Sequence, residues 1–245
     1  MIDDASRNQG QQCLQSEQDI GASKVDRARG SVHLSTAYIP NSQVGAIILA
    51  AGKSTRMGEA KQLLRLGEST VLGQTIENVR RSAVDEIVLV LGSSAEAIRR
   101  QLPISLLEGI NVVVNPAYEQ GMASSLRTGL AALDPQVDAA LIVLADQPFV
   151  RPETLDQLAK QHRRSKAQIV IPSYQGVRGN PVLLDRSVFA EVMALEGDIG
   201  CRAIFSSHTE RTVKVEVEDE GILLDIDNQE DYERLREASP PHTGE

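Results

Sequence analysis

Five short apolar runs recur along the chain, and the segments between them carry apolar residues at helical rather than alternating spacing. The runs are GAIILA (45–50), EIVLVLG (86–92), NVVVN (111–115), AALIVLA (139–145) and QIVIPS (168–173). Such short Val-, Ile- and Leu-rich runs have the character of strands buried on both faces of a parallel sheet. Segments 71–82, 95–102, 122–133 and 152–165 read as helices. Leu126, Leu130 and Leu133 form a stripe in the third, and Pro152 followed by Glu153 suits the first turn of the fourth. This βαβα rhythm predicts a three-layer α/β fold built on a doubly wound, mostly parallel sheet. PVLL (181–184), helical segments near 186–195 and 198–206, RTVKVEV (211–217), GILLDI (221–226) and a last helix over 229–238 break the rhythm. They are expected to add a small mixed or antiparallel section to the same sheet.

Aromatic residues are only 3% of the chain and tryptophan is absent, so the core must come from aliphatic side chains, as this architecture requires. Residues 1–43 are polar and lack any apolar period, and are expected to be a disordered leader. One domain over 44–238 and a short disordered tail over 239–245 complete the expectation. The N-terminus has no hydrophobic h-region and no run long enough to span a bilayer, which predicts a cytoplasmic protein without a membrane partner. Cys13 and Cys201 are too few and too differently placed for a disulfide or thiolate-metal framework. The net charge of −9 is concentrated at the C-terminal end, with eleven acidic and two basic residues between Glu216 and Glu245. That end reads as a solvated helix face, and the lack of a basic stripe argues against a nucleic-acid partner.

In open α/β sheets ligands bind beyond the carboxyl ends of the strands, so the groups found there carry the functional reading. Those after the first strand read LAAGKSTRMGEAK (49–61). GKST resembles the end of a Walker A loop, but the first glycine of that motif would fall at Ile47, within the strand. The alternative is a long turn in which Ala51 and Gly52 admit a ligand close to the backbone. There, amides and the Ser54 and Thr55 hydroxyls donate to phosphate oxygens, and Arg56 and Lys61 supply cations. Asn115 ends another strand, as a turn residue or a contact to base or sugar. Gly121 opens the following helix, whose Ser124, Ser125 and first-turn amides either cap it or face a base or an anion. Asp146 follows AALIVLA directly, and Mg²⁺ shared with phosphate oxygens would satisfy a carboxylate placed there. Arg178 is suited to an acceptor phosphate, and Asp198 either shapes that pocket or caps the helix after it. Of Asp225 and Asp227 near the end of GILLDI, Asp227 is expected to be the second ligand, the alternative being that it caps the helix after it. The histidines His33, His162, His208 and His242 form no catalytic pattern and are expected at the surface.

LAAGKSTRMGEAKQLL resembles the signature LAAGxSxRMGxxKxLL of the molybdenum cofactor cytidylyltransferase family, within the MobA-like NTP transferase superfamily. NPAYEQGMASSLRTGLAAL (115–133), VLADQPFV (143–150), YQGVRGNPVLLD (174–185), GDIGCR (197–202) and LLDIDNQEDYERL (223–235) resemble further blocks of it, in the same order. Asn228-Gln229 stands where the closing block usually has Thr-Pro. The resemblance implies a Rossmann-like nucleotidyltransferase fold and transfer of CMP from CTP to the terminal phosphate of molybdopterin, releasing pyrophosphate. ADQP, rather than CDxP, points to cytidylyl transfer. It implies Arg56, Lys61 and Asp146 as the catalytic set. Leu49, Ala50, Ala51, Gly52, Ser54, Asn115, Gly121, Ser124 and Ser125 are expected around the nucleotide, with Arg178, Gly179, Asn180 and Asp198 near the acceptor. Asp146 and Asp227 would hold Mg²⁺. Alternatives left open are GTP as donor, another small phosphorylated acceptor, and a non-catalytic cofactor chaperone. A transient contact with a receiving molybdoenzyme is compatible with each.

Overall fold

The computed structural model describes residues 42–52 and 60–238. The expected leader (apart from Ser42 and Gln43), the expected tail, Ser54, Thr55 and Arg56 lie outside the described residues. The chain begins with β1 (Val44–Ala50), then a 3-10 turn at Lys61–Leu63 and the small ribbon of β2 (Arg65–Leu66) and β3 (Ser69–Thr70). Next come α1 (Val71–Arg80), β4 (Glu86–Leu91), α2 (Ala95–Gln101), α3 (Ile104–Leu107) and β5 (Asn111–Val114). A 3-10 turn at Tyr118–Gln120 precedes α4 (Met122–Ala132), followed by β6 (Ala139–Leu144), α5 (Pro152–Ser165), β7 (Ile169–Tyr174), β8 (Val177–Arg178) and β9 (Val182–Asp185). The chain continues through α6 (Phe189–Met193), a 3-10 stretch over Cys201–Arg211, β10 (Thr212–Glu216), a 3-10 turn at Glu220–Leu223, and α7 (Gln229–Ala238).

Eight strands form one sheet in the order β10-β7-β9-β6-β1-β4-β5, with β8 paired to β7. β1 lies parallel to both β4 and β6, β4 to β5, and β10 to β7, while β9 runs antiparallel to β6 and β7. The mixed section falls where the rhythm breaks in the sequence. Residue alternation along β1 explains the layers. Val44, Ala46, Ile48 and Ala50 join a cluster with Leu72 and Ile76 of α1, Ile98 of α2 and Leu155 and Leu158 of α5. Ile47 and Ala51 face the opposite cluster, with Leu126 and Leu130 of α4 and Val192 of α6. No described helix is long and apolar enough to cross a membrane.

Three expectations are corrected. GILLDI (221–226) is not a strand. Asp219, buried between loops, accepts from Gly221 N–H (3.1 Å), Arg151 N–H (2.9 Å) and the Thr154 hydroxyl (2.5 Å). These bonds wind Glu220–Leu223 into a 3-10 turn instead. In the segment after it, Ile226 N–H donates to Asp146 O (3.0 Å). The helix expected over 198–206 is a 3-10 stretch shifted to Cys201–Arg211. His162 is not at the surface: it is 0% exposed and lies 2.8 Å from Asp185 through Nε2. The reason is periodicity, because Leu155, Leu158, Ala159 and His162 share the buried stripe of α5. Burial alone would raise the Asp185 pKa, yet hydrogen bonds from His162 and Ser187 hold it below its ordinary value. His208 is partly buried and also engaged, with Gln168 at 2.7 Å and Glu191 at 2.9 Å.

Candidate active site

The chain leaves β1 toward β4 and β5 on one side of the sheet and crosses to β6 on the other, so connections diverge between β1 and β6. A crevice opens at such a reversal. Here it is a cavity of about 610 Å³ lined by Leu49, Ala51 and Gly52 at and just after the end of β1 and by Leu144, Ala145 and Asp146 at and just after the end of β6. Lys61, Gln62, Tyr118 to Met122, Ser125, Asp198 and Asp227 complete its wall.

Asp146 begins a turn fixed from below by α1. Thr75 Oγ1 donates to Ala145 O (3.3 Å), and buried Asn78 Nδ2 donates to Pro148 O (2.8 Å) and Val150 O (2.9 Å). These polar residues on the buried stripe of α1 position the turn, and sequence reasoning missed them. Their signal was visible: Thr75 and Asn78 sit among Leu72, Ile76 and Val79, where apolar residues belong. Asp227 follows Ile226, which is 0% exposed and packs with Leu64, Leu66, Tyr232 and Leu235. Tyr232 of α7 donates to Arg65 O (2.7 Å), so α7 and the β2–β3 ribbon together hold the segment bearing Asp227.

Lys61 joins the two. Its Nζ lies 2.6 Å from Asp146 Oδ2 and 3.2 Å from Asp227 Oδ1. Burial alone would lower the Lys61 pKa, but the Asp146 and Asp227 carboxylates outweigh it and raise the value. Gln62, another residue missed in the sequence, is buried and donates weakly to Ala50 O (3.4 Å) and Gly52 O (3.3 Å), tying the turn to the end of β1. Asp225 does not share the Lys61 contact. Its Oδ1 is buried without a hydrogen-bond partner, and burial, then the Asp146 and Asp227 charges, push its pKa up to about 6.

Asp146 and Asp227 reach one ammonium nitrogen, so one small cation can reach both. Carboxylate oxygens suit a hard divalent ion such as Mg²⁺ or Mn²⁺, which commonly takes one or two carboxylates and completes its shell with substrate phosphates and water. Among the described residues no group of three or more His, Cys, Asp or Glu side chains is arranged to hold a metal ion.

In the block after β5, Asn115 and Ser124 follow the structural alternative left open for them. Asn115 is 1% exposed and donates to Ser124 Oγ (2.8 Å) and Ser125 Oγ (3.1 Å), while its Oδ1 accepts from Ala117 N–H (2.9 Å). Ser124 Oγ in turn lies in donating range of Ala117 O (2.9 Å) and Gly121 O (2.8 Å). Asn115 and Ser124 therefore brace the turn from beneath, while Gly121 and Ser125, of the residues in this block expected at the nucleotide, line the cavity. The first amides of α4 are not free for a ligand: Met122 N–H donates to Asp198 Oδ1 (3.2 Å) and Ala123 N–H to Gly197 O (3.2 Å). Asp198 thus lines the cavity and caps α4, not the helical stretch that follows it. Ala50 is buried under the wall, at 2% exposure.

Arg178, Gly179 and Asn180 do not line this cavity. The Arg178 guanidinium lies 5.1 Å above the Phe205 ring, a cation–π contact. Gly179 N–H donates to Pro172 O (3.0 Å) and Asn180 N–H to Ile222 O (3.1 Å). A Cβ on Gly179 would come within 2.4 Å of Ile222 O, so this backbone crossing admits only glycine. Cys201 is buried and its thiol pKa is pushed up to about 12, which leaves it inert.

Comparison with known proteins agrees with this architecture. The chain belongs to the MobA-like NTP transferase domain family, whose domain matches residues 46–213. It is 26% identical to the molybdenum cofactor cytidylyltransferase of Escherichia coli K12, over 80% of this chain and 97% of that protein. It is 29% identical to the nicotine blue oxidoreductase of Paenarthrobacter nicotinovorans, over 78% of this chain and 96% of that protein. Among solved structures, Rv0371c of Mycobacterium tuberculosis H37Rv is similar with a TM-score of 0.73 and 36% identity, over 80% of this chain and 98% of that one. The same protein in complex with manganese gives a TM-score of 0.70 and 33% identity, over 81% of this chain and all of that one.

Proposed function

We propose that the protein is a CTP-dependent molybdenum cofactor cytidylyltransferase, with residues 44–238 acting as one catalytic domain in the cytoplasm. The observation that carries this reading is the Lys61 ammonium held between Asp146 and Asp227 at the mouth of the β1–β6 crevice. A terminal phosphate oxygen of molybdopterin forms a bond to the α-phosphorus of CTP as the bond to the bridging oxygen of the β-phosphate breaks. Pyrophosphate leaves with that electron pair. The attacking phosphate is already anionic, so no histidine base or covalent nucleophile is needed. The barrier lies in aligning two anions. Mg²⁺, when bound with the triphosphate, supplies positive charge at the phosphoryl oxygens; the manganese complex of the mycobacterial relative supports divalent-metal use.

The protein's own contribution is position and charge. Asp146 and Asp227 anchor the cation, Lys61 and Arg56 stabilise phosphoryl charge, and the backbone from Leu49 to Gly52 offers a small, flat surface to base and ribose. Asp198 and Ser125 face the same volume, and Arg178 is assigned to the acceptor's approach. Pyrophosphate release measured with CTP, GTP, ATP and UTP, each with molybdopterin and Mg²⁺, tests the reading. CTP should be preferred, and Asp146→Asn, whose side chain contacts Lys61 while its backbone carries the bond from Ile226, should keep the fold and lose turnover. GTP preference would make it a guanylyltransferase. Turnover retained by Asp146→Asn would remove the metal role, and nucleotide binding without pyrophosphate release would leave a carrier of the cofactor.

A further inference from the structure

The two carboxylates assigned to the metal already hold a cation that belongs to the chain. Lys61 Nζ is 2.6 Å from Asp146 and 3.2 Å from Asp227, and its side chain is only 17% exposed. A divalent ion bridging these carboxylates would enter the volume the ammonium fills, and two cations cannot share so small a gap. Gln62 ties the backbone of the turn to Ala50 and Gly52, so the flexible Lys61 stem is the part able to move aside. Among the described residues no third His, Cys, Asp or Glu side chain joins this pair to compensate a bare ion for its lost hydration.

We propose that Lys61 is an exchangeable internal counter-ion. In the nucleotide-free protein its ammonium keeps free divalent metal off Asp146 and Asp227. It gives way when the metal arrives with a nucleoside triphosphate whose phosphates receive the displaced ammonium. This rests on the nucleotidyl-transfer reading and adds an order to it, because metal and triphosphate bind as a unit. The carboxylate pair is never left uncompensated, and the lysine reaches the phosphates in the step that delivers the metal.

Binding of Mn²⁺, followed by electron paramagnetic resonance of the free ion, tests the exchange without turnover. Lys61→Met and Lys61→Gln, each checked for folding by circular dichroism, are compared with the unaltered protein, with and without a non-hydrolysable α,β-methylene CTP. Without nucleotide both variants should bind Mn²⁺ at least about tenfold more tightly than the unaltered protein, since a full positive charge has left the gap. With the analogue the order should reverse, because the variants lack the Lys61 ammonium that the unaltered protein places on the phosphates. Equal or weaker Mn²⁺ binding by both variants in the nucleotide-free state would overturn the proposal. Failure of the order to reverse would overturn the transfer of the ammonium to phosphate. If the unaltered protein binds no analogue at all, the nucleotidyl-transfer reading falls, while the nucleotide-free comparison still reports whether Lys61 guards the carboxylates.

Discussion

Gly121→Ala should damage the site through the backbone alone. Gly121 sits at φ 97°, ψ −179°, a region that residues with a Cβ essentially do not enter, and forcing one there costs about 1–3 kcal/mol. The added Cβ would also lie 2.4 Å from Gly197 C and 2.5 Å from Asp198 N. Those are backbone atoms that no rotamer change can move aside. The 197–198 segment must retreat by about 0.6 Å to bring the nearest contact to 3.0 Å, and by about 1 Å to reach ordinary van der Waals separation. Its bonds to α4, from Met122 N–H to Asp198 and from Ala123 N–H to Gly197, are both already long at 3.2 Å. Losing them adds about 1–2 kcal/mol, taken at the low end because Asp198 is exposed. The sum is about 3 kcal/mol, or roughly 6–12 °C in Tm for a domain of this size, measurable by urea and thermal denaturation. Asp198→Ala alone should cost about 1 kcal/mol, and the double variant should be less destabilised than the sum, because both changes release the same contact. A loss below about 1 kcal/mol for Gly121→Ala, or strict additivity, would refute the claim that this crossing closes the cavity wall.

The turn after Asp146 should be sensitive to α1. Asn78→Ala leaves two buried carbonyls, Pro148 O and Val150 O, without their donor. It should cost about 2–3 kcal/mol in urea denaturation and slow pyrophosphate release; a cost under about 1 kcal/mol would show that the turn holds itself. The Asp185–His162 pair predicts a pH dependence. The Asp185 pKa is lowered in the folded state from 3.8, so its stabilisation is complete above that value and is lost as pH falls through the folded one. Asp185→Asn should therefore cost about 1 kcal/mol at neutral pH, with the penalty shrinking on acidification below 3.8. A penalty that stays constant or grows would contradict the assignment.

The buried strands and long helices were legible because each is specified by its own residues. β1, β4, β6 and α5 declare themselves by apolar runs or a 3.6-residue stripe, and α7 matches its expected 229–238 span. What failed depended on residues far away in sequence. GILLDI has strand character, but Asp219 bonds to Arg151 and Thr154 across a distance that no local pattern records. His162 was legible in principle, since it continues the stripe through Leu155, Leu158 and Ala159. At the site, the motif order located Lys61, Asp146 and Asp227, which the fold brings together. The same order did not show that Asn115, Ser124 and Asp198 spend hydrogen bonds on bracing the wall, because a short polar side chain after a strand looks alike whether it faces inward or outward.

The electrostatics of the crevice favour a cation that travels with the substrate. Its described charged lining is Glu119, Asp146, Asp198 and Asp227 against Lys61, and Asp225 lies close enough behind Asp146 and Asp227 for their charges to raise its pKa. Among the described residues, a bare triphosphate approaching this wall would meet more negative charge than positive, in a partly desolvated cleft where repulsion is poorly screened. On the proposed reading a metal-bound triphosphate would reverse the sign there, because Asp146 and Asp227 would hold the cation and Lys61 would meet phosphate charge. If metal and triphosphate arrive together as proposed, this acidic rim would admit the complex in preference to a free nucleotide, and Asp225, whose pKa burial and the Asp146 and Asp227 charges raise, should become easier to ionise with that cation in place.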